Sequence, residues 1–150
     1  MQPKLSVPVA DALASGRAVV ALESTIFSNL GLPSPANADA LERCLDAISS
    51  RGAVPAVTAV LDGVVRLGLE ANEHERILGN ARKAAERDIA VAVGQRWEFG
   101  ATTVSASVAI AAAAGVTVFA TGGLGGVHRG AEATGDFNKF KPSRLDITFL

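Results

Sequence analysis

Short apolar runs alternate with stretches of helical periodicity along the chain. Ala18 to Leu22 is a continuous apolar run, the mark of a strand buried on both faces. Asp11 to Ser15, just before it, reads as the end of a short helix stopped by Gly16. Phe27 to Pro35 is rich in Gly, Pro, Ser and Asn and reads as a loop. A helix then opens, with Ser34 suited to the N-cap and Pro35 to the first helical position. Leu41, Leu45 and Ile48 share one of its faces, and Gly52 ends it. Val54 to Leu61 predicts the next strand, with Pro55 near its start and Asp62-Gly63 at its end. Glu73 to Glu86 predicts a helix whose inner face is Ile77, Leu78, Ala81 and Ala85. Ile89 to Val93 predicts a strand ended by Gly94, and Thr102 to Ala114 a helix of small residues. Val116 to Ala120 and Leu145 to Phe149 predict two more strands.

Alternation of this kind predicts an α/β fold: an α/β/α layered domain around a largely parallel sheet. The last strand has no helix after it, so the pattern reads as a fold incomplete at its C-terminus. All of residues 1–150 is read as the N-terminal part of one domain. The small-sided helix and the last strand are then expected to leave an apolar surface exposed.

Composition narrows the picture. The chain has 150 residues, 49% of them hydrophobic, which is enough for a real core and excludes disorder. A net charge of −1 argues against a nucleic-acid protein. The run Val104 to Ala120 is too interrupted to span a membrane, and the first residues lack a signal-peptide layout. A lone cysteine, Cys44, reads as a structural thiol in a helix. The expected location is the cytoplasm.

Ligands of open α/β sheets bind beyond the carboxyl ends of the strands. Glu23 follows a buried strand directly, so it is either a desolvated carboxylate fit for proton transfer or a capping glutamate. Thr121-Gly-Gly-Leu-Gly-Gly126 can present converging N–H groups to an anion, with His128 and Arg129 close behind, or can be a tight turn. Its spacing fits neither a dinucleotide fingerprint nor a P-loop. Thr102-Thr103 opens a predicted helix and suits either phosphate or simple capping. On residue type alone Lys83 is a solvated lysine in a charged helix, and His74 is a surface residue. Glu23, Thr103 and the segment Thr121 to Gly126 are expected on one rim of the sheet.

Ala21-Leu-Glu-Ser-Thr25, Gly52-Ala-Val-Pro-Ala56, Gly100-Ala-Thr-Thr-Val104 and the run Thr121 to Glu132 carry a resemblance. From about Asp11 to Asp136 the chain resembles the pseudouridine-5′-phosphate glycosidase family, which includes indigoidine synthase A-like proteins. The resemblance implies cleavage of the carbon–carbon glycosidic bond of pseudouridine 5′-phosphate to uracil and ribose 5-phosphate. It implies an imine between a lysine and C1′, with an acid delivering a proton to C5. Carried over position by position, Glu23 matches the proton donor. Lys83 and Val104 match substrate-contacting positions, and Thr103, Thr121 and His128 join them on the same rim. Asp136 matches an aspartate associated with Mn²⁺. A trimer is implied as the assembly. Two departures stand out. Phe137-Asn-Lys-Phe140 replaces the usual Val/Ile-Ser-Ala-Asp-Leu, and Asn29 lies in a loop one residue longer than usual, where the family has a histidine. The imine-forming lysine is expected beyond residue 150, with neither Lys139 nor Lys141 in its context. The competing expectation is a catalytically inactive fragment that at most binds a phosphosugar.

Overall fold

The computed structural model describes residues 1–123 and 146–149. Strands β1 (Lys4–Leu5), β2 (Val19–Leu22), β3 (Val54–Leu61), β4 (Val64–Leu67), β5 (Arg82–Ala84), β6 (Phe99–Thr102), β7 (Val118–Thr121) and β8 (Asp146–Phe149) form one sheet. Helices α1 (Val7–Ala14), α2 (Ala36–Ser49), α3 (Ile89–Gly94) and α4 (Val104–Ala113) cover its two faces. Five pairings are parallel and two, β3 with β4 and with β6, are antiparallel. The layered, largely parallel α/β architecture is therefore as expected.

Side-chain alternation along the strands sorts the core into two layers. Val19, Ala21, Ala56, Val60 and Phe119 point toward α1, α3 and α4. Val20, Leu22, Val57, Ala59, Ala101 and Ala120 point toward α2 and the short helical turns around Ile77. The helix of small residues fits this: Ala106, Ile110 and Ala111 are fully buried against the sheet. The apolar surface expected on α4 is thus covered within the chain itself.

The sheet is built around β3. On one side, its second half pairs with β4 through a hairpin. On the other side, its first half pairs with β2, in register from Val19↔Val54 to Leu22↔Val57. Its second half there pairs with β6, from Leu61↔Phe99 to Ala59↔Ala101. β2 runs parallel to β3 and β6 antiparallel, so their carboxyl ends meet tip to tip beside Thr58.

Several local readings change. Residues 73–86 do not form one helix. Two short 3-10 turns, Ala71–Glu73 and Glu75–Leu78, give way to strand β5. Gly79-Asn80 interrupts the periodicity, and Asn29 holds the segment extended. The Asn29 side-chain oxygen accepts from Ala81 N–H at 2.9 Å, and Asn29 N–H donates to Gly79 C=O. Ile89–Gly94 is helix α3 rather than a strand: Ile89 and Ala92 are buried at helical spacing while Val91 and Val93 are exposed. The helix expected from Thr102 begins at Val104, because Phe99–Thr102 is strand β6. Ser34 makes no capping bond; Pro35 stands at the N-cap of α2.

Asp62-Gly63 is more than a strand end. Both residues have positive φ, 52° and 74°, the geometry of a two-residue hairpin turn joining β3 to β4. Arg76 clamps Asp62 with two hydrogen bonds at 2.9 and 3.0 Å, which hold the Asp62 carboxyl below its ordinary pKa. A Cβ on Gly63 would lie 2.8 Å from the Arg96 Cα. Gly63→Ala is therefore expected to lower stability by about 1–3 kcal/mol, through the positive φ and the clash together. Chemical denaturation checks this, and an unchanged midpoint would refute the account of the turn.

Candidate active site at the tips of β2, β6 and β7

Glu23 leaves the end of β2 half-buried, at the mouth of a cleft of about 170 Å³. Ile26, Phe27, Ala40, Cys44 and Ala120 give this cleft apolar walls. Such walls remove water from the carboxylate, and burial pushes its pKa above the ordinary 4.5. Two groups oppose that push. The Thr121 hydroxyl, from the end of the neighbouring β7, donates to Glu23 Oε1 at 2.6 Å. The positive charge of Lys83 acts on the carboxylate from β5. Glu23 thus combines a reluctance to ionise with a fixed orientation, the two properties a proton donor needs.

The hydroxyl of Thr121 has one proton, and the short bond to Glu23 takes it. Its oxygen is left to accept, and Gly123 N–H approaches it at 3.4 Å. Thr121 is 8% exposed, so its side chain belongs to the wall behind the carboxylate.

Lys83 is half-buried on an edge strand, not solvated on a helix. It alternates with Arg82 and Ala84, which places it on the α2 face of the sheet. The guanidinium of Arg82 lies 3.7 Å from the Trp97 ring centroid on the opposite face. Thr103 N–H donates to Ala84 C=O at 3.0 Å. These contacts pin a strand of only three residues, and Lys83 with it.

Thr103 stands at the N-cap position of α4 without a side-chain capping bond, and its hydroxyl lies 3.2 Å from that of Ser105; Val104 is buried. The Thr25 hydroxyl donates to Thr102 C=O at 2.8 Å, which ties the Glu23 turn to the β6 tip. Glu23 and Thr121 thus line one cleft, the charge of Lys83 acts on Glu23, and Thr103 and Val104 follow the β6 tip to which Thr25 ties the Glu23 turn. His128, Asp136 and Gly125-Gly126 lie outside the described residues. Among the described residues no group of three His, Cys, Asp or Glu side chains is placed to hold a metal ion. His74 lies at the other end of β3, in a cleft shared with Arg17 and Glu70. Cys44 is half-buried on α2, and burial raises its thiol pKa.

A group of buried hydroxyls joins two of the sequence motifs, through Ser24 and Thr102, to residues outside them, Thr58 and Ser107. Ser24, Thr58, Thr102 and Ser107 are each 0% exposed and bond to one another behind the Glu23 turn. The signal for it was Thr58, a single hydroxyl inside the apolar strand Val54–Leu61.

Residues 8–139 match the family model described as indigoidine synthase A like protein. The chain belongs to this family. It is 49% identical over 131 residues to the pseudouridine-5′-phosphate glycosidase of Rhodospirillum centenum, covering 87% of this chain and 40% of that protein. It is 51% identical over 130 residues to the Streptomyces griseus protein of the same name, covering 85% and 40%. It is 48% identical over 140 residues to pseudouridine-5′-phosphate glycosidase 2 of Rhizobium johnstonii, covering 92% and 45%. The chain thus spans less than half the length of these relatives. Its fold is similar to that of the prealnumycin C-glycosynthase AlnA, solved in complex with ribulose 5-phosphate. That match has a TM-score of 0.75 and 35% identity over 99% of this chain and 49% of that one. An indigoidine synthase A-like protein of Thermotoga maritima matches with a TM-score of 0.66 and 35% identity, over 77% of this chain and 39% of that one.

The direction of the Glu23 shift has a consequence for stability. A carboxyl with a raised pKa holds its proton more tightly folded than unfolded, so as a charged group it costs stability at neutral pH. Glu23→Gln is expected to raise the unfolding midpoint at about pH 7. The gain should fade as the pH drops through the folded-state pKa and be gone below the ordinary 4.5. A gain that is the same at both ends of that window would show that burial is not what acts on Glu23. Thr121→Val, which removes the donor, is expected to push the Glu23 titration further up, read by carboxyl carbon NMR.

Proposed function

We propose that this chain carries the acid half of a site that breaks the carbon–carbon glycosidic bond of pseudouridine 5′-phosphate. The observation that supports this best is Glu23: desolvated, held by Thr121 and facing the charge of Lys83. Expelling C5 of uracil as a carbanion is unfavourable, so C5 has to receive a proton as the C1′–C5 bond breaks. In this reading the Glu23 carboxyl gives that proton. The bonding pair stays with C5. A lysine nitrogen that has bonded to C1′ as the C1′–O4′ bond broke, with O4′ taking up a proton and the ribose ring opening, supplies the pair that forms the iminium, and water then hydrolyses it to free the amine and ribose 5-phosphate. The imine-forming lysine comes from beyond residue 150 in this reading, which rests on the family resemblance.

The remaining rim suits the phosphosugar. Lys83 supplies positive charge, and Thr103 and the first N–H groups of α4 supply donors, with Val104 backing them. The ribulose 5-phosphate in complex with AlnA supports a sugar phosphate as the ligand class. Thr121 acts here on Glu23, and His128 completes the sugar contacts. In the same reading Mn²⁺ belongs at Asp136, where it would act as a Lewis acid toward phosphate or sugar oxygens. The assembly is a homo-oligomer, a trimer by resemblance, in the cytoplasm. No helix among the described residues is long and apolar enough to cross a membrane.

Two measurements on the 150-residue chain test this. Ribose 5-phosphate is expected to perturb the NMR signals of Glu23, Lys83 and Thr103; binding elsewhere, or none, would sink the reading. Incubation with pseudouridine 5′-phosphate and Mn²⁺ is expected to release no uracil. Deleting a covalent nucleophile costs roughly a million-fold in other enzymes. Uracil release with a borohydride-trapped adduct on Lys139 or Lys141 would show that the nucleophile is within the chain.

A further inference from the structure

The tips of β2 and β6 meet at a place where the sheet has no regular ladder to offer. The register of β2 on β3 stops at Leu22↔Val57, and that of β6 stops at Ala101↔Ala59. Thr58 lies between. Hydroxyls do the pairing there instead. Thr58 Oγ1 lies 3.0 Å from Leu22 C=O and 2.7 Å from Ser107 Oγ. Thr102 Oγ1 lies 2.7 Å from Thr58 C=O and 2.8 Å from Thr58 Oγ1. Ser24 Oγ accepts from Thr102 N–H at 2.9 Å and lies 3.0 Å from Thr102 Oγ1. Ser107 Oγ donates to Thr103 C=O at 2.9 Å.

Each hydroxyl has one proton, and a chain of single donations gives all four a partner. Ser24 donates to Thr102, Thr102 to Thr58, Thr58 to Ser107 or to Leu22 C=O, and Ser107 to Thr103 C=O. All four side chains are 0% exposed, so water cannot replace a missing partner. The seam begins one residue after Glu23 and ends at Thr103. Its members have no route to a ligand.

We propose that Ser24, Thr58 and Thr102 are positioning residues, which fix Glu23 relative to Lys83 and to the start of α4 by closing the junction of β2 and β6 on β3. The proposal rests on the reading of Glu23 as the acid, and acts only through it. Among the described residues, the groups facing Glu23 are Lys83 from β5, the Thr121 hydroxyl from β7 and, across the cleft, Cys44 from α2.

The test compares Thr102→Val, which keeps the shape and removes the hydroxyl, with Thr102→Ser, which keeps the hydroxyl. Both are expected to unfold at a lower temperature than the parent chain. Thr102→Val is expected to move the Glu23 titration midpoint, read by carboxyl carbon NMR, because burial, Thr121 and Lys83 all act on the carboxylate through the position of its turn. It is also expected to weaken ribose 5-phosphate binding about tenfold, a loss of the size expected when a hydrogen bond that orders a charged group is removed. Thr102→Ser should restore both. A folded Thr102→Val chain with the parent titration curve would overturn the proposal. Should Thr102→Val not fold, Thr25→Val removes the bond to Thr102 C=O from the less buried side and is read the same way. If the parent chain binds no ribose 5-phosphate, the substrate reading fails, while the Glu23 titration still decides the positioning role.

Discussion

The structure depends on how β3 finds partners for both of its edges. An eight-residue strand is longer than either neighbour on its second edge, so two strands share it from opposite directions. Buried backbone groups cannot go unpaired where those two strands end. Extending either strand would close the rim on which Glu23 stands. Thr58, Thr102 and Ser24 pair the tips through side chains and leave the rim open. The opening from which Glu23 emerges and the buried hydroxyls beneath it are two consequences of the same topology.

The tip-to-tip arrangement also explains why distant segments share one site. Parallel strands β2 and β7 bring Glu23 and Thr121 to the same end of the sheet. β6 arrives from the other direction with β5 parallel to it, and their carboxyl ends point back toward β2. A uniformly parallel sheet would put all four ends on one outer edge. Here two pairs of ends face each other, so Glu23 and Lys83 approach from opposite sides. The Coulombic pull of Lys83 then partly offsets the desolvation of Glu23 without a salt bridge being required to hold the carboxylate.

What was legible in the sequence follows from periodicity. β2, β3 and β7 are buried on both faces, and continuous apolar runs betray such strands. Glu23 and Thr121 were legible with them, since each stands at the end of such a run. Ile89 to Val93 looked the same in composition yet forms a helix, with two of its valines exposed; a short apolar run does not fix its own period. β5 was hidden because its three residues, Arg-Lys-Ala, carry no apolar alternation, and because its extension depends on Asn29, some fifty positions away. That non-local origin is why Lys83 read as a surface lysine until the family resemblance placed it in the site. The hydroxyl seam was illegible for the same reason. Only the crossing of β2 and β6 on β3 brings residues 24, 58, 102 and 107 together.

The segment Gly100-Ala-Thr-Thr-Val104 shows how one short motif serves both layers of the sheet. Alternation sends Gly100 and Thr102 toward α4 and Ala101 toward α2. At Gly100 a Cβ would stand 3.2 Å from the Val60 Cβ and 3.4 Å from Trp97 Cε3, so a side chain there would press on Val60 and bear on Trp97. Trp97 in turn carries Arg82, and Arg82 anchors the strand that presents Lys83. Two residues on, Thr102 enters the seam beside Thr58. Thr103 follows the strand, donates its N–H to Ala84 C=O and stands at the N-cap position of α4. The smallest position of the motif thus lies under Trp97, which carries Arg82 beside Lys83; the next hydroxyl bonds to Ser24 of the Glu23 turn; and the last residue stands at the start of α4. A change at any of the three should be felt at Glu23 although none of them touches it.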